Sequence, residues 1–200
     1  MQKKQKKQRK KQMYKLLEEL HKKINNCRKC PLYKTAKHAV PGEGNPKTKI
    51  VFVGEAPGRV EDETGRPFVG RAGKLLNELL DSIGLKRESV FITSVVKHRP
   101  PKNRQPKSPE IKRCSFWLKH QLSIIKPELI VTLGRFGMEY FLPKEKISQI
   151  HGTIKKTLVN ERFISVFPVY HPAAGLRSTR NKKRLFEDFQ KLKKTISHDF

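Results

Sequence analysis

Four short apolar segments constrain the fold of this chain more than any other feature. They are rich in β-branched and aromatic residues and cover 49–54, 90–96, 129–134 and 163–169. Their hydrophobicity is nearly continuous, which is typical of strands buried on both faces of a parallel sheet. Helical patterns at 71–83, 109–125, 135–142 and 182–196 separate or follow them. This alternation of strand and helix predicts a three-layer α/β/α sandwich with right-handed crossovers.

The N-terminal part of the chain divides into two stretches of different composition. Residues 1–12 contain only Lys, Arg and Gln after the first Met, and seven of them are basic. A segment without apolar residues cannot offset the entropy lost on ordering, so we expect a disordered basic arm or a solubility tail. From Met13 onward the spacing of Leu16, Leu17, Leu20 and Ile24 predicts a helix ending near Asn25. Residues 13–200 are therefore expected to form one domain.

The charge of the chain indicates a polyanionic partner. There are 45 Lys and Arg residues against 18 Asp and Glu, which gives a formal net charge of +27 and a pI near 10.3. Nucleic acid is favoured over a membrane surface, because no helical pattern combines the basic residues with a strong apolar face. A solvated lysine-rich surface is the alternative. No segment has the apolar length needed to cross a bilayer, and no apolar stretch behind the N-terminus indicates a secretory signal, so we expect a cytoplasmic protein.

The three cysteines favour metal or thiolate chemistry. Cys27, Cys30 and Cys114 are an odd number, and they cannot make a disulfide framework. In a protein expected in the cytoplasm, such thiols are more often metal ligands or reactive groups than disulfide partners.

Two loops that follow predicted strands are the best candidates for a ligand site. In open α/β sheets ligands bind beyond the carboxyl ends of the strands. Residues 54–73, GEAPGRVEDETGRPFVGRAG, follow the first strand, and their glycines let the backbone approach a ligand closely. The loop lacks the dinucleotide and Walker phosphate-binding motifs. Residues 169–177, VYHPAAGLR, follow the last strand and hold His171 in extended or turn geometry before Pro172, although a packing histidine is the plainer interpretation.

These two segments, together with KHRPPKNRQPKSPEIKRC, resemble the family 4 iron–sulfur uracil-DNA glycosylases. The resemblance covers roughly residues 14–196. It implies a four-stranded parallel sheet between helices, with a narrow uracil pocket at the strand ends. It also implies a base-excision repair enzyme that flips uracil out of single- or double-stranded DNA, acts as a monomer and hydrolyses the glycosidic bond.

The resemblance also implies a metal centre. Members of the family hold a 4Fe–4S cluster through four cysteines, and the matching positions here are Cys27, Cys30, His98 and Cys114. Histidine thus stands where the family has its third cysteine. Imidazole can replace a thiolate on iron and raises the reduction potential, and the related uracil-trapping branch also has Lys-His here. Zinc is the alternative, because three cysteines and a histidine also form a common zinc site.

The same comparison implies roles for residues around the pocket. His171 would donate to the uracil O2 as negative charge develops there, aided by backbone N–H groups around Ala56. Phe68 would stack on the base, unless it is an ordinary core residue. Glu55 and Glu61 would stabilise the sugar cation or orient water, and Glu61 could instead crowd the C5 position of the base. We expect Leu176 to wedge into the DNA stack and Arg177 to bind phosphate.

One departure from the family concerns base recognition. Ser94 stands where the family has an asparagine whose amide pairs with uracil N3–H and O4. A single hydroxyl cannot supply a fixed donor and a fixed acceptor together. The alternatives are therefore a glycosylase-like protein that binds DNA or uracil with altered specificity or lost turnover, and a metal-stabilised nucleic-acid-binding protein. The segment PPKNRQPKSP has no histidine, so we expect hydrolysis and not the covalent trap of the related branch.

Overall fold

The protein folds around one six-stranded sheet. The computed structural model describes the chain from residue 2 to residue 199, and it describes side chains for residue 8 and residues 11–197. The strand order is β1-β3-β2-β4-β6-β5. The strands are β1 (Glu43–Gly44), β2 (Ile50–Gly54), β3 (Phe91–Ser94), β4 (Leu129–Leu133), β5 (Lys155–Val159) and β6 (Arg162–Val169).

The four inner strands are the four that the sequence predicts, and they are parallel to one another. The number of strands was predicted wrongly, because β1 and β5 add antiparallel edges to this central sheet. Neither edge strand has the apolar pattern of a buried strand. The first has only two residues, and the second, KKTLV, alternates between partly buried and exposed positions.

Helices cover both faces of the sheet. Residues 2–199 contain eight α-helices: α1 (Gln2–Asn25), α2 (Arg59–Thr64), α3 (Arg71–Ser82), α4 (Ser108–Ile125), α5 (Arg135–Phe141), α6 (Ile147–Ile150), α7 (Pro172–Gly175) and α8 (Thr179–Asp199). On one face, Val51 and Val53 of β2 belong to a core that includes residues of α1, α4 and α5. On the other face, Phe52 packs with residues of α3 and α8. The predicted three-layer sandwich is therefore confirmed. Among the described helices, none has the length and apolarity needed to cross a bilayer.

The N-terminal segment differs from the expected disordered arm. The structure includes residues 2–12 in α1, although most of their side chains lie outside the described residues. Lys, Gln and Arg are good helix formers, and extending a helix from an existing turn is easier than starting one. The packed part of α1 buries Leu17, Leu20 and Ile24, whereas Leu16 is 45% exposed.

The parallel arrangement brings three chain segments together at the carboxyl ends of the inner strands. Gly54, at the end of β2, lies opposite Ser94, at the end of β3. On the other side of β2, β4 pairs with β6, whose last residue is Val169. His171 follows two positions later and is the N-cap of α7. The residues that follow β2, β3 and β6 thus face a common region.

Candidate active site

A cavity of about 340 Å³ lies at the carboxyl ends of the parallel strands. It is lined by residues from the loop after β2, the end of β3 and the segment after β6. The predicted residues that line it are Glu55, Ala56, Glu61, Phe68, Ser94, His171 and Arg177. Leu176 is adjacent in sequence and 40% exposed, but it is not part of the cavity wall. The structure therefore brings together most of the site residues that the sequence singles out.

The carboxylate of Glu61 ties the loop after β2 to itself. Its Oε2 accepts the N–H of Gly58 at 3.1 Å. Its Oε1 accepts the N–H groups of Val69 and Gly70 at 2.9 and 2.8 Å. Both oxygens are thus occupied by backbone donors. This geometry suits a group that shapes the loop better than one that activates water.

Glu55, the other carboxylate that lines the cavity, accepts no such hydrogen bonds from the backbone of the described residues. It is partly buried directly after β2, and no hydrogen bond or ion pair to another described residue involves its side chain. Burial raises the pKa of its carboxyl, while Arg135 acts to lower it and Glu139 adds to the increase. The Glu55 carboxylate is therefore available to a water molecule or to a cationic sugar.

Phe68 forms one wall of the cavity and is also buried, with 7% of its surface exposed. Its ring centroid lies 5.7 Å from that of His171. A Cβ at Gly54 would come within 2.5 Å of the ring atom Cζ, so only glycine fits beneath the ring. Because the same ring packs in the core and lines the cavity, the two interpretations of Phe68 are compatible.

His171 is held as a neutral hydrogen-bond donor. Its Nδ1 accepts the N–H of Ala173 at 3.1 Å, which assigns the proton of the neutral ring to Nε2. Burial lowers the pKa of His171 to about 4, with Glu61 opposing this shift and Arg177 adding to it. The imidazole is therefore uncharged at neutral pH. Its Nε2–H can donate to a ligand that accepts a hydrogen bond.

Ser94 is buried at the end of β3 and lines the cavity. Its carbonyl accepts a hydrogen bond of 2.7 Å from Lys97 Nζ, whereas no bond within the described part of the chain involves its hydroxyl. Two further polar residues line the cavity and were not predicted from the sequence, Asn103 and Arg104. They lie in PPKNR, which is part of a segment that resembles the family, and this resemblance could have indicated that they line the site.

The three cysteines lie within electrostatic reach of one another. Burial raises the pKa of the Cys114 thiol to about 11, and the neighbouring Cys30 and Cys27 add to the increase. The indole Nε1–H of Trp117 donates to Cys27 Sγ at 3.2 Å, and the N–H of Lys97 donates to Cys114 Sγ at the same distance. Hydrogen bonds of this kind surround the sulfur ligands of metal clusters.

His98 is buried beside this cysteine region. With Cys27, it lines a second cavity of about 760 Å³. In the part of the chain that the structure describes, no group of three or more His, Cys, Asp or Glu side chains has the arrangement of a metal site. Among the described residues, the three cysteines are therefore close enough to interact electrostatically, but neither they nor His98 form a preformed metal site.

A family model described as the uracil DNA glycosylase superfamily matches residues 41–193. This stretch contains the six strands and every residue of the cavity wall except Val40. The chain therefore belongs to this superfamily.

Curated relatives narrow the assignment to one branch of the superfamily. A type-4 uracil-DNA glycosylase from Sulfurisphaera tokodaii is 48% identical over 88% of this chain and 83% of its own length. Type-4 enzymes from Archaeoglobus fulgidus and Thermotoga maritima are 46% and 43% identical, over 88% and 92% of this chain and 91% and 96% of their own lengths. The predicted resemblance to the type-4 enzymes is confirmed.

The state of His171 can be tested by NMR. We expect its ring to keep the Nε2–H tautomer and to stay neutral from pH 8 to pH 5, since its protonation midpoint lies near 4. An ordinary histidine titrates near pH 6.5. The unfolded chain would bind a proton here below about pH 6.5 and the folded chain would not, so this residue lowers stability as the pH falls towards 4. A ¹⁵N titration showing a midpoint near 6.5, or an Nδ1–H tautomer, would contradict the assignment.

Proposed function

We propose that the chain excises uracil from DNA by hydrolysing its N-glycosidic bond. This proposal rests on one observation: a single cavity contains the neutral His171 donor, the Phe68 ring and the Glu55 carboxylate, which has no hydrogen-bond partner among the described residues. The type-4 names of the relatives support the same substrate and reaction. The chain is accordingly an N-glycosyl hydrolase of base-excision repair.

A base inside a duplex cannot reach this cavity, so the target nucleotide must be flipped out of the stack. The net charge of +27 supports sequence-independent attraction to phosphates, to which residues 2–12 of α1 would add. The exposed Leu176 is proposed to fill the gap left by the base, with Arg177 on the neighbouring phosphate. Action as a monomer, choice of single- or double-stranded DNA and a cytoplasmic location stay predictions.

Bond cleavage separates charge, and the cavity offers partners for both signs. When the bond between the sugar C1′ and uracil N1 breaks, its electrons leave with the base and C1′ becomes cationic. We propose that His171 Nε2–H donates to uracil O2, where negative charge develops, and that the Ala56 N–H, which no described backbone acceptor takes, assists. Glu55 would stabilise the sugar cation, orient the water that attacks C1′ and receive its proton. Glu61 would act indirectly, by holding the loop.

A second candidate function is binding of uracil or DNA without turnover. The observation that favours it is Ser94, because one hydroxyl replaces the amide that the family uses at the base edge. The Ser94 Oγ can contact the N3–H or the O4 of uracil, but not both in a fixed geometry. Base discrimination would then be weaker than in a relative with asparagine at this position.

We also propose that Cys27, Cys30, Cys114 and His98 hold a 4Fe–4S cluster, with zinc as the alternative. The buried Cys114 thiol accepts an N–H from Lys97 and the partly buried Cys27 thiol accepts one from Trp117, and such donors fit a group that stabilises thiolates. Such a group would tie together the segment after α1, the segment after β3 and α4, because these contain the four residues. Its contribution would be structural, since the bond-breaking residues lie in the other cavity.

The function is tested by incubating the protein with uracil-containing DNA and cleaving abasic sites with alkali. We expect His171→Ala to slow single-turnover excision about a hundredfold, as loss of one oxyanion donor does. Binding to abasic product should change little, because the hydrogen bond matters most as charge develops. His120→Ala removes an exposed histidine of α4 and is the matched control. Tight binding of uracil-DNA without any abasic product would refute turnover and support the second candidate.

The metal proposal is tested by the colour and composition of the purified protein. We expect a brown protein with about four iron and four sulfide per chain, and Cys114→Ser should lose most of both and unfold at a lower temperature. Ser115→Ala, at the next position of the same helix and only partly buried, is the control. A colourless protein with about one zinc per chain would replace the cluster with the zinc alternative.

A further inference from the structure

The guanidinium of Arg87 has every one of its donors engaged inside the protein. Its Nε and Nη2 donate to Glu43 Oε1 at 3.1 and 2.8 Å. Its Nη1 donates to the Phe68 carbonyl and to Asn77 Oδ1, both at 3.1 Å. The remaining Nη2 proton goes to the Pro67 carbonyl at 2.5 Å. An arginine has five N–H donors, so none is left for a DNA phosphate.

The two carbonyls that Arg87 binds belong to the segment that presents the aromatic wall of the cavity. Phe68 has a φ of +49°, a left-handed conformation that is unfavourable for a residue with a bulky side chain. Such a conformation persists only where the surroundings hold it. The backbone here is tightly enclosed, because a Cβ at Gly73 would lie 1.9 Å from the Phe68 carbonyl oxygen.

Arg87 is itself anchored by the sheet. It precedes β3, and its partner Glu43 is in β1, opposite Ile92 of β3. Glu43 also accepts from Arg66 Nε at 2.8 Å, although this second guanidinium is mostly exposed and makes no bond to the Phe68 backbone. Only 19% of the Arg87 side chain is exposed. Arg87 therefore uses its charge inside the protein, where it joins edge strand β1 to the loop after β2.

We propose that Arg87 is a positioning residue, which fixes the Pro67 and Phe68 carbonyls so that the Phe68 ring stands as a rigid surface for the flipped base. This inference rests on the proposed function, because it requires Phe68 to contact the base. Lysine cannot replace the arginine here, since a single ammonium lacks the planar fork that reaches two carbonyls, an amide and a carboxylate at once.

The first test compares single-turnover excision of uracil by Arg87→Met, Arg87→Lys and the control Lys86→Met. We expect both Arg87 variants to lose about tenfold to a hundredfold in rate, since small misplacements of a positioning surface cost that much. Lys86 is the exposed neighbour, and its replacement removes the same charge. Lys86→Met should stay within about twofold of wild type, because a general attraction to DNA is spread over many cations.

The second test asks whether Arg87 acts through Phe68. We expect Phe68→Ala to be slow, and Phe68→Ala combined with Arg87→Met to be no slower than Phe68→Ala alone, as for two groups that serve one contact. A general folding defect would instead multiply the two losses. Millimolar guanidinium chloride should partly restore Arg87→Ala and leave Phe68→Ala unchanged. Thermal unfolding of each variant shows whether it is folded. If Arg87→Met is not folded, Arg87→Lys is used in its place.

The outcomes separate this inference from the function on which it rests. Wild-type protein that releases no uracil refutes the proposed function and the inference with it. Normal excision by Phe68→Ala refutes the stacking role of Phe68 and therefore the inference. A slow Phe68→Ala with Arg87 variants at the wild-type rate, or with multiplied losses in the double variant, leaves the function intact and overturns the inference alone.

Discussion

The hydrogen bonds to the Glu61 carboxylate are the interaction on which the active-site geometry depends. One side chain accepts N–H groups from both ends of a long turn, at Gly58 and at Val69 and Gly70. A buried backbone donor left without a partner is costly, so these bonds fold the loop after β2 back on itself. Phe68 is thereby placed against Gly54, and α3 begins directly after the tie, at Arg71.

A buried polar network fixes the opposite wall of the cavity. The Lys97 side chain is fully buried, and its Nζ donates to Thr93 Oγ1, the Ser94 carbonyl and Gln121 Oε1 at 2.6 to 2.7 Å. The backbone N–H of the same residue donates to Cys114 Sγ. The end of β3 is therefore joined both to α4 and to the cysteine region. A metal centre at those cysteines would stabilise the base cavity from behind without contacting it.

The parts of this structure that the sequence predicted well are those governed by local pattern. The four inner strands begin and end within two residues of their predicted positions because continuous apolar runs are distinctive. The edge strand β5 lacks that pattern. The role of Glu61 depends on hydrogen bonds to backbone groups 3 to 9 residues away, and that of Arg87 on carbonyls 19 and 20 residues away. Composition and hydrophobic pattern do not predict these bonds. The neutral state of His171 likewise follows from its burial and from the Ala173 N–H, which only the folded chain brings into place.

A crystal structure with DNA containing 2′-fluoro-2′-deoxyuridine, which resists cleavage, tests the central claim most directly. The account predicts that the flipped uracil lies in the cavity between β2, β3 and α7, with its ring stacked on Phe68. It also predicts that uracil O2 lies within hydrogen-bonding distance of His171 Nε2, about 3 Å, and that Glu55 faces C1′. A uracil bound outside this cavity, or one whose O2 contacts neither His171 nor the Ala56 N–H, would contradict it.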